Sequence, residues 1–177
     1  MITNITKYHF QSISSTNDWA KENIHLFNNK ELTLVTADMQ TAGRGQFGRR
    51  WHSPAKKNIY ASIVFFLEQD RLDTSLLVQL LAKTVQSVLQ ENQLETQIKW
   101  PNDLLLGGKK LAGILIETSY IQDLTCVIMG IGINVNMPKK DLENVSQLAT
   151  SLFIETNMRW DCNALMDRIL QALMLQL

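Results

Sequence analysis

Cysteine is scarce in this 177-residue chain: Cys126 and Cys162 are the only two, too few and too isolated for a disulfide framework or a zinc site. Histidine is equally thin, and His9, His25 and His52 fall at no metal-ligand spacing. No protein-built metal site is expected. Neither sign of charge dominates, since 17 basic residues stand against 17 acidic ones. No global field therefore draws the chain to nucleic acid or to a membrane surface. No apolar run approaches the ~18 residues that cross a bilayer, and residues 1–10 alternate polar with apolar instead of forming a signal-peptide core. The phosphate-loop string G-x-x-x-x-G-K-[ST] does not occur. A reducing, cytoplasmic setting fits these absences.

What remains is an ordinary globular composition, 45% hydrophobic and 19% charged, of a length suited to one domain over residues 1–177. Residues 6–12 alternate and read as a strand. Ser14-Ser15-Thr16-Asn17 offers capping side chains for a helix to about residue 27. A β-rich run covers 32–39, and a buried strand is expected over 58–67. Asp73 or Thr74 begins the clearest helix, with Leu76, Leu77, Leu80, Leu81, Thr84, Val85, Val88 and Leu89 on one face. A short strand leads into Trp100-Pro101. Leu104-Leu105-Leu106 and residues 111–117 then form a hairpin about Gly107-Gly108. Residues 123–135 make another strand, and the chain from Asp141 onward is helical, with Asp161 capping a last helix. Strands that follow one another without helices argue against a parallel α/β sheet. The expected fold class is α+β, a mixed, largely antiparallel sheet with helices on one side.

Three features carry chemistry. The first is the loop Gly43-Arg44-Gly45-Gln46-Phe47-Gly48-Arg49-Arg50-Trp51, which together with Lys56 and Lys57 contains no acidic residue. Glycines allow backbone N–H groups to approach a ligand, and arginine matches carboxylate or phosphate oxygens. The loop satisfies G-x-G-x-x-G, but a dinucleotide site needs a helix opening directly from it, and Pro54 argues against one. The second feature is Lys99-Trp100-Pro101-Asn102-Asp103 followed by Lys110. Closing the hairpin at Gly107-Gly108 sets Asp103 and Lys110 on adjacent strands at a similar level. They could form a surface ion pair, or a lysine able to neutralise a reacting carboxylate and phosphate. The third is Gly130-Ile131-Gly132-Ile133-Asn134, where glycines inside an apolar strand indicate a bulge or a close approach by something else.

Taken together and in this order, six strings resemble the catalytic domain of biotin–protein ligases: Ser15-Thr16-Asn17, Gln40-Thr41-Ala42-Gly43-Arg44-Gly45, Trp51 with Ser53-Pro54, Lys99 to Asp103, Lys110-Leu111-Ala112-Gly113-Ile114, and Gly132-Ile133-Asn134. The resemblance implies a fold like that of class II aminoacyl-tRNA synthetases and biotin–lipoate ligases. It implies a reaction in which biotin and MgATP give biotinyl-5′-AMP, and the acyl group then passes to a lysine of the biotin carboxyl carrier protein of acetyl-CoA carboxylase. By the same resemblance, Lys110, Arg44 and Asp103 are catalytic. Ser15, Thr16, Asn17, Gln40, Gly43, Arg44, Lys110 and Gly113 bind biotin. Gly45, Gln46, Arg49, Trp51, Asn102 and Asn134 bind the adenylate.

Many family members carry further arginine where this chain has Gln46 and Phe47. Residues 43–52 are expected to be mobile without ligand. Two family attachments are not expected here, an N-terminal DNA-binding domain and a small C-terminal β-barrel. A homodimer through a sheet edge is compatible with the resemblance, although the residues themselves do not establish it. The rival readings are a lipoate- or octanoate-type protein acyltransferase of the same fold, and a non-catalytic protein that binds biotin or biotinyl-AMP.

Overall fold

Strand β1, Ile5–Phe10, and strand β2, Leu32–Ala37, pair in parallel, and parallel neighbours need a crossover. Helix α1, Thr16–Glu22, supplies part of it. Ser15 caps α1 through its hydroxyl, which accepts the Asp18 N–H. This helix stops well short of residue 27 and is followed by a 3-10 turn over Ile24–Leu26. The Trp19 carbonyl in the last turn of α1 accepts both the backbone N–H and the side-chain amide of Asn23, at 3.0 and 2.9 Å. The computed structural model describes residues 4–68, 73–143, 145 and 147–177. Residues 1–3 of the alternating start, and positions 144 and 146 of the expected C-terminal helical stretch, lie outside the described residues.

The remaining strands are β3 (Ile59–Glu68), β4 (Thr96–Lys99), β5 (Asp103–Leu106), β6 (Lys109–Ile121) and β7 (Leu124–Ile133). They pair antiparallel, in the sheet order β1-β2-β3-β7-β6-β5-β4. Gly107 and Gly108 both take positive φ, 58° and 74°, the geometry of a two-residue turn matched to strand twist.

Alternation along the strands divides the core in two. Ile63, Phe65, Met129 and Ile131 face helix α2 (Thr74–Gln90) and helix α5 (Cys162–Met174), where Leu81, Val85, Leu89, Ile169 and Leu173 are buried. Val35, Val64, Cys126 and Ile128 face the opposite way, under Ala20 and Trp19 of α1. Helices therefore cover both faces of the sheet, not one, because the β1–β2 crossover lies on the side away from α2 and α5.

Asp73 caps α2 and Asp161 caps α5, each through its carboxylate. Leu76 is 59% exposed, so the apolar face of α2 begins at Leu77, which packs against the core. Beyond Asp141 the helical stretch is broken into α3 (Lys139–Leu142), α4 (Leu152–Thr156) and α5. Between α3 and α4, the Lys110 and Thr150 N–H groups donate to the Leu148 and Lys110 carbonyls, so this segment adds an isolated bridge beside β6.

Candidate active site

A cavity of about 220 Å³ opens where the start of α1, the β2–β3 connection, the β4–β6 segment and the middle of β7 converge. Its first wall is Ser15, Thr16 and Asn17, all nearly buried. The Thr16 N–H donates to Gln40 Oε1 at 2.9 Å, and Gln40 Nε2 donates to Ser53 Oγ at 3.1 Å. Asn17 accepts from Ser62 Oγ at 2.6 Å and donates through Nδ2 to Glu117 Oε2 at 2.9 Å. This asparagine lies directly on β7: a Cβ at Gly130 would stand 2.3 Å from its Oδ1. Of the two readings of the β7 glycines, close approach holds, and β7 runs in register against both neighbours without a bulge.

The second wall is the glycine-arginine loop. It folds back on itself, the Gly45 N–H donating to the Arg49 carbonyl at 2.7 Å and the Trp51 N–H to Gly43 at 2.8 Å. A three-residue 3-10 turn, Gln46–Gly48, is all the helix it contains, which removes the dinucleotide reading. Phe47 sits at the tip in a left-handed conformation (φ 58°), 88% exposed, with the Arg49 guanidinium 5.6 Å from its ring centre. Gln46, Arg49 and Arg50 reach the cavity wall.

Arg44 also reaches the wall, but its guanidinium is engaged on both sides. It forms an ion pair with Asp18, donating through Nη2 and, at 3.2 Å, through Nε, and Nη2 lies 3.2 Å from Glu117 Oε2. The hydrogen bond to Asp18, followed by the Glu117 charge, raises its pKa further against the opposing effect of burial. The loop's first arginine is held by the Asp18 and Glu117 carboxylates.

At the third wall, Lys110 Nζ lies 2.8 Å from Asp103 Oδ1, with both side chains largely buried. The contact is electrostatic and lacks hydrogen-bond alignment, so Asp103 Oδ1 has no aligned donor. The two residues are not level in the ladder: Asp103 pairs with Gly113 and Lys110 with Leu105, across a register shift between Leu104 and Leu105. That irregularity lets the lysine reach diagonally. Trp51 closes this end. Its ring lies 5.2 Å from the Lys110 ammonium and rests on Gly113 and Gly132, where added Cβ atoms would stand 2.9 and 2.4 Å away. Trp51 Nε1 is buried with no hydrogen-bond partner among the described residues. The space above Gly113, expected to admit biotin, holds this indole.

Two expected site residues stand elsewhere. Gly43 is behind the wall, a Cβ there meeting Ser53 Oγ at 2.7 Å. Asn134 is buried outside the cavity, its amide donating to the Thr150 carbonyl and its backbone N–H to Leu111. It leaves the end of β7 to bond the segment before α4. Asn102 keeps its place on the wall, donating through Nδ2 to the Ile114 carbonyl at 3.0 Å. Sequence reasoning missed Asp18, Ser62 and Glu117. Period two along β6 puts Glu117 on the same face as Gly113, which is the signal that could have found it.

Among the described residues no group of three His, Cys, Asp or Glu side chains could hold a metal ion. No helix there is long and apolar enough to cross a membrane.

The family model described as "Biotin/lipoate A/B protein ligase family" matches residues 9–134. A bifunctional ligase/repressor from Bacillus spizizenii is 40% identical over 163 residues, which cover 89% of this chain and 49% of that protein. A biotin–[acetyl-CoA-carboxylase] ligase from Mycobacterium tuberculosis is 33% identical, covering 79% of this chain and 52% of the relative. The chain thus spans about half the length of these curated relatives. The structure of the biotin protein ligase from Aquifex aeolicus in complex with biotin and ATP superposes with a TM-score of 0.76 at 31% identity, covering 95% of this chain and 68% of the other. The chain belongs to the biotin/lipoate A/B protein ligase family.

Proposed function

We propose that this chain is the catalytic part of an ATP-dependent biotin–protein ligase, acting on a biotin carboxyl carrier protein in a reducing, cytoplasmic compartment. The observation that carries the reading is the charge layout of one cavity. At one end Asn17, Thr16 and Gln40 form a polar wall, with Arg44 balanced by Asp18 and Glu117. That end suits a neutral, hydrogen-bonding head such as the cyclic urea of biotin. Elsewhere on the wall Lys110 stands beside Asp103, and Arg49, Arg50 and Lys99 add cationic side chains, an environment for converging anions.

Joining biotin to ATP brings two anions together, so mutual repulsion forms much of the barrier. Lys110 would lower it by lying between biotin's carboxylate and the α-phosphate. The carboxylate oxygen attacks phosphorus and pyrophosphate leaves, giving the mixed anhydride. The amine of the carrier lysine then attacks the acyl carbon, and AMP departs. The side chains on the wall supply no nucleophile to this scheme; they orient, neutralise charge and exclude water. Trp51 and the loop would cover the intermediate, and the unpartnered Trp51 N–H would offer it a donor.

Asp103 is the one carboxylate on the cavity wall among the described residues, and Lys110 already neutralises it. That donor set fits a magnesium ion carried in on nucleotide phosphates rather than held in a protein cage. Asp103 would be its protein contact, and the ion would offset phosphate charge.

The test is incubation of the chain with biotin, MgATP and a carrier domain, read by mass. One added biotinyl group per carrier is expected, and none with lipoate or octanoate in place of biotin. Labelling by lipoate or octanoate alone would move the assignment to the acyltransferase reading. Tight biotin binding without labelling would leave a binding protein.

A further inference from the structure

Glu117 touches the side chains of the cavity's head without lining the cavity itself. Its carboxylate accepts from Asn17 Nδ2 at 2.9 Å and from Arg44 Nη2 at 3.2 and 3.3 Å, and Lys21 Nζ stands 3.9 Å away. From there a continuous polar chain runs round the wall. Asn17 Oδ1 accepts from Ser62, whose hydroxyl lies 2.8 Å from that of Thr16. The Thr16 N–H donates to Gln40, Gln40 donates to Ser53, and the Ser53 hydroxyl donates to the Trp51 carbonyl at 3.0 Å. One run of hydrogen bonds thus ties β6, α1, β3 and both ends of the glycine-arginine loop together. At its buried end the Glu117 carboxylate and the Leu115 carbonyl can only accept, so the Asn17 amide must turn Nδ2 towards them and leave Oδ1 to accept from Ser62.

We propose that Glu117 is the positioning residue of the biotin site. By holding Asn17 and Arg44 it sets the hydrogen-bonding face offered to the neutral head of biotin, and so determines biotin affinity without contacting the substrate. The inference rests on the functional reading above and deepens it. The Arg44 pair with Asp18 and Glu117 is a tether for the loop, keeping a guanidinium from acting as a competing anion receptor at the urea end. Charge and geometry separate in two variants. Glu117→Ala loses both the Asn17 acceptor and the Arg44 counter-charge. Glu117→Gln keeps an acceptor for Asn17 and loses only the charge.

The experiment measures biotin-dependent ATP–pyrophosphate exchange with the chain as it stands, together with calorimetric titration of biotin alone. Glu117→Ala is expected to raise the KM and Kd for biotin about tenfold, as for loss of hydrogen bonds to a charged group. The KM for ATP and kcat should stay within about twofold. Glu117→Gln is expected to recover most of the affinity. Ser62→Ala, a small change that cuts the same chain at Asn17, should show the same biotin-only effect and decides the matter if Glu117→Ala does not fold. A fall in kcat with biotin affinity unchanged would overturn the proposal. So would an equal rise in both KM values. A wild-type chain that neither exchanges nor binds biotin would overturn the functional reading itself, a result distinct from inert variants in an active protein.

Discussion

The Lys110 ammonium sits 2.8 Å from the Asp103 carboxylate and 5.2 Å from the centre of the Trp51 ring, so a single cation joins two strands and a loop. Removing that cation tests catalysis directly. Lys110→Ala is expected to lower kcat for adenylation by about 10²–10³-fold, the scale for loss of one preorganised electrostatic group. Because both side chains are largely buried, the variant leaves Asp103 uncompensated, a stability cost of about 3–5 kcal/mol that should lower Tm by roughly 6–20 °C. Pyrophosphate exchange and a melting curve on the same sample separate the two effects. Full activity in the variant would remove Lys110 from the mechanism.

The glycine under Trp51 makes a packing prediction. A methyl at Gly132 would stand 2.4–2.7 Å from three atoms of the indole. Gly132→Ala should therefore cost about 1–3 kcal/mol, the range for overpacking. In a Trp51→Ala background most of that cost should vanish. Urea unfolding of the double-mutant cycle reads the coupling; equal costs in both backgrounds would mean the ring does not rest there.

Acid should weaken the attachment of α4 to the β5–β6 hairpin. Hydrogen bonds from Lys109 and then Thr150 hold the Glu155 carboxyl below its ordinary value of 4.5. Because the folded value is the lower one, the stabilisation is present above about pH 4.5 and is lost as pH falls through the folded value. Wild type should exceed Glu155→Gln in stability at neutral pH, and the gap should close in acid. A constant gap from neutral pH into acid would refute the assignment.

Ligand should protect the loop. Arg49 and Arg50 follow an exposed tip at Phe47, and trypsin cuts after arginine. Limited proteolysis is expected to slow at least several-fold when biotin and MgATP are both present, if the loop covers the adenylate. Equal cutting rates with and without ligand would count against that role.

Most elements could be read from local pattern. Ser15, Asp73 and Asp161 announced three helix starts, and Gly107-Gly108 announced the hairpin turn, because caps and tight turns are set by a few neighbouring residues. The cavity strings were legible for the same reason: each is a short contiguous run on one helix start, strand or loop. What the sequence hid were relationships across the sheet. The β5–β6 ladder carries a shift at Leu104/Leu105 that no spacing rule encodes, and it decides which residue Lys110 meets. The Asn134 amide donates to the Thr150 carbonyl sixteen residues on, a partner that no local pattern announces. Asp18 belongs to α1 and Glu117 to β6, and only the folded chain brings Arg44 between them.

The Asn17–Glu117 hydrogen bond spans 100 positions, and Arg44 reaches Glu117 across 73. No fragment of the chain can assemble this wall before β1, β3, β6 and β7 have all found their places, so the pocket comes into being only with the finished topology. Many contacts of such long sequence separation place folding toward the slower end for single domains. They also make the small molecule a sensor of the whole fold. Bound only by the native state, it should raise the unfolding free energy by about 2.7 kcal/mol at a hundred times its Kd.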